Sequence, residues 1–172
     1  MNNNLLLSMH YNMSKITDYF NRDIRRTKIN KVKIHPENVY TLMFDGGSRG
    51  NPGVAGAGFV IYKNGEEIFA GCAPLGTATN NFAEYRALEL GLQCAIKKDI
   101  TNLVIKGDSQ LVLNQVTNKW RVKSIMLSSL YKNIRQLLEK LDTYQVEHVR
   151  RKFNKRADEL ANMAMDGNIL TN

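Results

Sequence analysis

Cysteine is scarce. Only Cys72 and Cys94 occur among the 172 residues, and neither belongs to a Cys-x-x-Cys pair. A disulfide scaffold and a thiolate zinc site are both disfavoured, and buried free thiols are the expected state. Long apolar runs are also missing: no uncharged stretch approaches the roughly 18 residues a membrane span needs, and Leu5-Leu6-Leu7 is far too short for a signal-peptide core. A soluble, intracellular chain without a membrane partner is expected. Neither disorder nor a fibrous repeat fits, because hydrophobic residues at 43% and charged residues at 23% lie close to globular averages. Positive charge is what the sequence has in excess. With 24 Lys and Arg against 16 Asp and Glu, the formal net charge is +8. That suits a polyanion such as nucleic acid, although other basic proteins share it.

Residues 1–38 are polar, begin with Asn2-Asn3-Asn4, and show neither alternation nor a sustained helical stripe. They read as a flexible basic N-terminal extension. A domain over 39–168 follows, with 169–172 as a short tail. Val39 to Phe44 is an apolar, β-branched strand ending at Asp45 and entering the turn-rich Gly46-Gly47-Ser48-Arg49-Gly50-Asn51-Pro52-Gly53. Ala57 to Tyr62 and Glu67 to Ala73 form a hairpin around Asn64-Gly65. Asn80 or Asn81 caps a helix reaching about Lys98. A short strand at Leu103 to Ile105 ends at Gly107-Asp108, and Ser109 caps a second helix through Val116. Ser124 to Leu141 is a long amphipathic helix, Val146 to Val149 a fifth strand, and Asn154 caps a last helix to about Met165. The order βββαβααβα predicts an α/β fold, a five-stranded mixed sheet with helices on both faces.

Four carboxylates occupy telling places. Asp45 and Asp108 each stand where an apolar strand run stops, so neighbouring strands would bring both to one edge of the sheet. Glu84 and Asp158 are placed in the first turns of two helices, where unpaired N–H groups and the helix dipole favour the ionised form. Singly, such acids are turn formers or dipole partners. Four together in one short, basic domain point instead to a shared site, in which like charges would raise each other's pKa unless cations intervened. Hard oxygen ligands without nearby His or Cys select Mg²⁺ or Mn²⁺ over zinc. Two such ions about 4 Å apart would clamp the attacking and leaving oxygens of a phosphodiester.

The strings Phe44-Asp45-Gly46-Gly47-Ser48-Arg49-Gly50-Asn51-Pro52-Gly53, Asn80-Asn81-Phe82-Ala83-Glu84-Tyr85, Gly107-Asp108-Ser109-Gln110 and Asn154-Lys155-Arg156-Ala157-Asp158-Glu159-Leu160-Ala161 together resemble ribonuclease H of the type 1 branch. The resemblance spans about Val39 to Asp166. It implies a ribonuclease H-like fold and an endoribonuclease that cuts RNA within RNA–DNA hybrids with two Mg²⁺ ions, Mn²⁺ being the alternative. Carried over, Asp45 would bridge both metals, Asp108 and Glu84 would hold the ion at the leaving 3′-oxygen, and Asp158 the ion that activates water. Gly46, Gly47, Gly50 and Gly53 would let backbone approach the duplex, or are ordinary turn glycines. Asn51, Asn80, Asn81 and Gln110 match amides that contact the minor groove, where an amide can both donate to and accept from a 2′-hydroxyl. Their plainer roles are turn shaping and helix capping, and the two can coexist. Thr79 with Asn81, and Lys123 with Ser124, resemble parts of a pocket for a DNA-strand phosphate. Trp120 matches an aromatic facing the DNA strand, with core packing as the other reading.

Two departures stand out. The loop Arg150-Arg151-Lys152-Phe153-Asn154 is short and lacks the mobile His of many bacterial members; Arg150 or Arg151 is the candidate substitute, and His148 is read as a packed or solvent-facing strand residue. The stretch from Asn118 to Lys123 is too short for the basic protrusion of other members, which leaves hybrid affinity to the extension. In that extension Met13-Ser14-Lys15-Ile16-Thr17-Asp18-Tyr19-Phe20 resembles a PIP box, the peptide that docks replication sliding clamps, with Met13 where Gln is usual. Ile16, Tyr19 and Phe20 would share one side of a helical turn; a chance amphipathic turn is the alternative. The expected protein is a monomer working at sites of DNA replication. The rival readings are a catalytically weak hybrid-binding module and a DNA-directed nuclease of the same fold.

Overall fold

The computed structural model describes residues 40–171. Strand β1 (Tyr40–Gly50) is followed by β2 (Gly53–Lys63), β3 (Glu66–Ala78), helix α1 (Asn80–Lys97), β4 (Asn102–Gly107), α2 (Gln110–Val116), α3 (Ile125–Glu139), β5 (Thr143–His148), a 3₁₀ turn at Arg151–Phe153, α4 (Lys155–Met165) and β6 (Leu170–Thr171). The sheet order is β5-β4-β1-β2-β3-β6. β1, β2 and β3 form an antiparallel meander, while β4 runs parallel to both β1 and β5. The five expected strands are present, and the two residues of β6, expected as tail, pair antiparallel to β3.

Alternation along the strands sorts residues between two cores, because successive side chains leave a strand on opposite faces. Leu42, Phe44, Phe59 and Ile61 pack with Tyr85, Leu88 and Leu92 of α1 and with Ile134 and Leu138 of α3. Val60, Ala70 and Cys72 pack on the other face with Ala157, Leu160 and Ala164 of α4. Among the described residues, no helix is long and apolar enough to cross a membrane.

One local expectation is overturned by packing. The glycine-rich segment read as a loop is mostly strand: β1 stays paired with β2 from Tyr40 opposite Lys63 to Gly50 opposite Gly53. The glycines serve close approach there. A Cβ on Gly46 would lie 2.1 Å from the Ala83 carbonyl carbon of α1, and one on Gly58 would lie 2.5 Å from the Ala161 nitrogen of α4. Glycine within a strand often marks such a close approach. For Gly46 the demand comes from a helix of the same chain.

Candidate active site

Asp45 lies within β1, opposite Gly58 of β2, rather than at the strand's end. Asp108 directly follows β4. Because β1 and β4 are parallel neighbours, with Met43 beside Lys106, both carboxylates reach the same edge of the sheet, as expected from the sequence. Glu84 departs from expectation. Helix α1 starts at Asn80 and has no acid in its first turn, so Glu84 occupies the second turn and faces inward. Carboxylate oxygens of Asp45, Glu84 and Asp108 lie within 4.8 Å of one another. Asp45 and Glu84 are each only 7% exposed.

Asp158 does sit in the first turn of its helix, α4, and its side chain approaches Asp45. Both of its oxygens are engaged by the protein: Arg151 Nη2 donates to Oδ1 at 2.6 Å, and Asn162 Nδ2 donates to Oδ2 at 3.2 Å. The site therefore gathers groups from helices packed on opposite faces of the sheet.

The electrostatics are those of too much negative charge in too little water. Burial, then the neighbouring Asp45 and Asp108, push the Glu84 carboxyl up to about 9. Burial, Asp108 and Asp158 push Asp45 up to about 7, against the pull of Arg151. Without cations the clustered acids thus raise one another's pKa, as expected from the sequence, and Glu84 is shifted furthest. Glu84 Oε2 is buried and, among the described residues, has no hydrogen-bond partner. An orphaned acceptor beside two more carboxylates fits a hard divalent cation, which would supply the missing ligand contact and reverse both shifts.

Two residues of the site make contacts the sequence did not show. Asn154 stands at the N-cap of α4, as expected, with its carbonyl accepting from Asp158 N, but its side chain makes no cap bond. It is 1% exposed, and its Nδ2 donates to the Phe44 carbonyl at 2.9 Å and to Asp108 Oδ1 at 3.1 Å. It thereby ties the start of α4 to both carboxylate-bearing strands. His148 is solvent-facing, as one of its two expected states, but its Nε2 lies 3.2 Å from the Asp108 carbonyl. The polar residue before a helix was the available signal for Asn154, and capping was the commoner explanation of it.

The residues expected to meet substrate lie in the β1–β2 turn, at the starts of α1, α2 and α3, and in the connection between α2 and α3. Thr79, not Asn80 or Asn81, caps α1, its Oγ1 accepting from Phe82 N. Asn51 Oδ1, in the β1–β2 turn, accepts from Asn80 N at 3.1 Å, which joins that turn to the start of α1. Asn81 is exposed one residue further on. Gln110 opens α2, two residues past Asp108, and lines a groove of about 270 Å³ with Asn114, Thr117, Lys119 and His148. Ser124 caps α3 through Leu127 N, and Lys123 beside it is exposed. Trp120 is 51% exposed, so core packing does not explain it. It lines a second groove, about 490 Å³, with Arg121, Tyr131 and Lys132. Met13, Ile16, Tyr19 and Phe20 lie outside the described residues.

Residues 43–164 match a family model described as reverse transcriptase-like. The chain is 34% identical to a ribonuclease H of Hydrogenovibrio crunogenus over 139 residues, covering 94% of that protein and 73% of this one. The chain belongs to the ribonuclease H family. Identity is higher, 43% over 124 residues, to a ribonuclease HI of Halobacterium salinarum, where 72% of this chain meets 62% of the relative. The chain thus spans less than two thirds of that longer family member. The crystal structure of RNase H1 from the same archaeon superposes with a TM-score of 0.73 at 40% identity, covering 76% of this chain and 99% of that one. A compost-derived RNase H1, solved in complex with an RNA/DNA hybrid, superposes with a TM-score of 0.70 at 32% identity, over 74% of this chain and 97% of that one. The mixed sheet and its flanking helices are those of ribonuclease H.

Proposed function

We propose that this ribonuclease H-family chain is a metal-dependent endoribonuclease that hydrolyses the RNA strand of RNA–DNA hybrids, in primer or hybrid removal during DNA replication. The observation that carries the reading is the convergence of Asp45, Glu84 and Asp108 within 4.8 Å, with Asp158 adjoining, in a chain whose relative was solved with such a hybrid. Asp45, Glu84, Asp108 and Asp158 would hold two Mg²⁺ or Mn²⁺ ions. When bound, such ions lower the pKa of an attacking water and offset charge on the leaving oxygen, which removes the need for a protein nucleophile.

The remaining residues position the duplex. The amides of Asn51, Asn80, Asn81 and Gln110 read the 2′-hydroxyls that mark one strand as RNA. Thr79 and Asn81, with Lys123 and Ser124, hold a DNA-strand phosphate, and the exposed face of Trp120 meets the same strand. Asn154 fixes Asp108 by hydrogen bonding, so its contribution is orientation. The extension adds phosphate contacts through its basic residues, and Met13, Ile16, Tyr19 and Phe20 dock a sliding clamp, which places a monomeric nuclease at intracellular sites of replication.

The test is cleavage of strand-labelled hybrid, DNA duplex and RNA duplex by the purified chain with Mg²⁺, with Mn²⁺ and with chelator. RNA-strand cuts in hybrid that stop with chelator are expected. Asp45→Asn should lose cleavage while still binding hybrid, because the amide keeps the carboxylate's shape but not its charge. Near-native turnover of that variant would remove Asp45 from the metal site.

A further inference from the structure

The four acids are not equally available. Three of them are gathered within 4.8 Å, and Glu84 Oε2 has no partner among the described residues. The fourth, Asp158, is already paired with a cation of the chain itself. Arg151 Nη2 sits 2.6 Å from Asp158 Oδ1, and its side chain is 78% exposed. The 3₁₀ turn that carries Arg151 lies between β5 and α4, so the guanidinium reaches the site from solvent. Its charge acts beyond Asp158 as well, opposing the repulsion felt by Asp45 and by Glu84.

Resting on the proposed two-ion reading, we propose that Arg151 is a built-in competitor for the second metal position: it holds Asp158 in the free chain and must yield before that carboxylate can ligate a divalent ion. The first ion then loads at Asp45, Glu84 and Asp108 without displacing any side-chain cation, and the second loads at higher concentration. Arg151 acts here through Asp158 and is a positioning residue. An exposed ion pair is weak, so its removal should tighten the second step by up to about fivefold.

The experiment is calorimetric titration of the full chain with Mn²⁺, without nucleic acid, for the parent and for Arg151→Gln and Arg151→Lys. Arg151→Gln should move the weaker binding step up to about fivefold lower in Mn²⁺ and shift the tighter step less, because Arg151 contacts Asp158 and reaches Asp45 and Glu84 only through its field. Arg151→Lys, which keeps a cation on the turn, should stay near the parent. Equal weak-step midpoints in the parent and Arg151→Gln would overturn the inference and leave the proposed function standing. So would Arg151→Lys behaving as Arg151→Gln does, since charge would then not be the cause. If the parent binds no Mn²⁺ at all, the two-ion reading falls and the inference falls with it.

Discussion

Glu84 is the residue at which stability and function oppose each other most directly. Its folded pKa of about 9 stands above the ordinary 4.5, so the native state holds a proton that the unfolded chain releases. The stability linked to that proton is complete below pH 4.5 and is lost as pH rises toward 9. Glu84→Gln carries no such penalty. In metal-free urea unfolding it should gain on the parent between pH 5 and pH 8 by on the order of 4 kcal/mol. An equal difference at both pH values would mean that Glu84 ionises normally in the fold. Asn154 carries the opposite expectation. Its amide satisfies a buried Phe44 carbonyl and holds Asp108, so Asn154→Ala should cost about 1–3 kcal/mol and lower cleavage as well. Unchanged urea midpoints would return Asn154 to an incidental role.

Among the elements, the contact of β2 with α4 is set by what the strand leaves out. Helix α4 brings Asp158 and Asn154 to the site, and its backbone lies where a Cβ on Gly58 would be, 2.5 Å from Ala161 N and 2.7 Å from the Ala157 carbonyl. Gly58→Ala should push the helix off the sheet at a cost of about 1–3 kcal/mol, as overpacking does, and should impair catalysis by displacing Asp158. Urea unfolding together with hybrid cleavage checks both effects. A variant with unchanged stability would show that α4 can slide at no cost. The start of α1 is governed likewise by a neighbouring element, because the Asn51 side chain takes the Asn80 N–H. A change at Asn51 therefore reaches the helix that carries Glu84.

At the scale of the whole molecule, charge separates the surface from the centre. A chain of net charge +8 concentrates four acids at one edge of its sheet, so the surroundings attract phosphate while the centre favours divalent cations. The extension of residues 1–38 carries seven basic residues against three acids. Deleting residues 1–33 should leave metal-dependent cleavage intact but weaken hybrid binding and flatten its salt dependence, since fewer counterions are released. The slope of log affinity against log salt measures this. Replacing Tyr19 and Phe20 by Ala should abolish binding to the cognate sliding clamp and spare cleavage of free hybrid. An unchanged slope together with no clamp binding by the parent would remove the extension from the proposed function.

The sequence by itself determined what local patterns encode. Short apolar, β-branched runs bounded by turn residues located the five main strands, Asn64-Gly65 located the hairpin, and carboxylates after two strand runs and near two helix starts located the metal-binding candidates. Those signals act through neighbouring residues, so they are legible along the chain. Only the tertiary structure decided which partners the polar groups take. Asn154 bonds to residues 110 and 46 positions away, Asn51 competes for the start of α1 from 29 positions away, and Gly46 is small because α1 passes over it. A polar side chain before a helix caps it unless a buried carbonyl elsewhere needs a donor more, and a glycine run turns unless a helix requires it flat. In both cases burial settles the outcome, because an unsatisfied buried polar group or a backbone clash costs more than a local preference contributes.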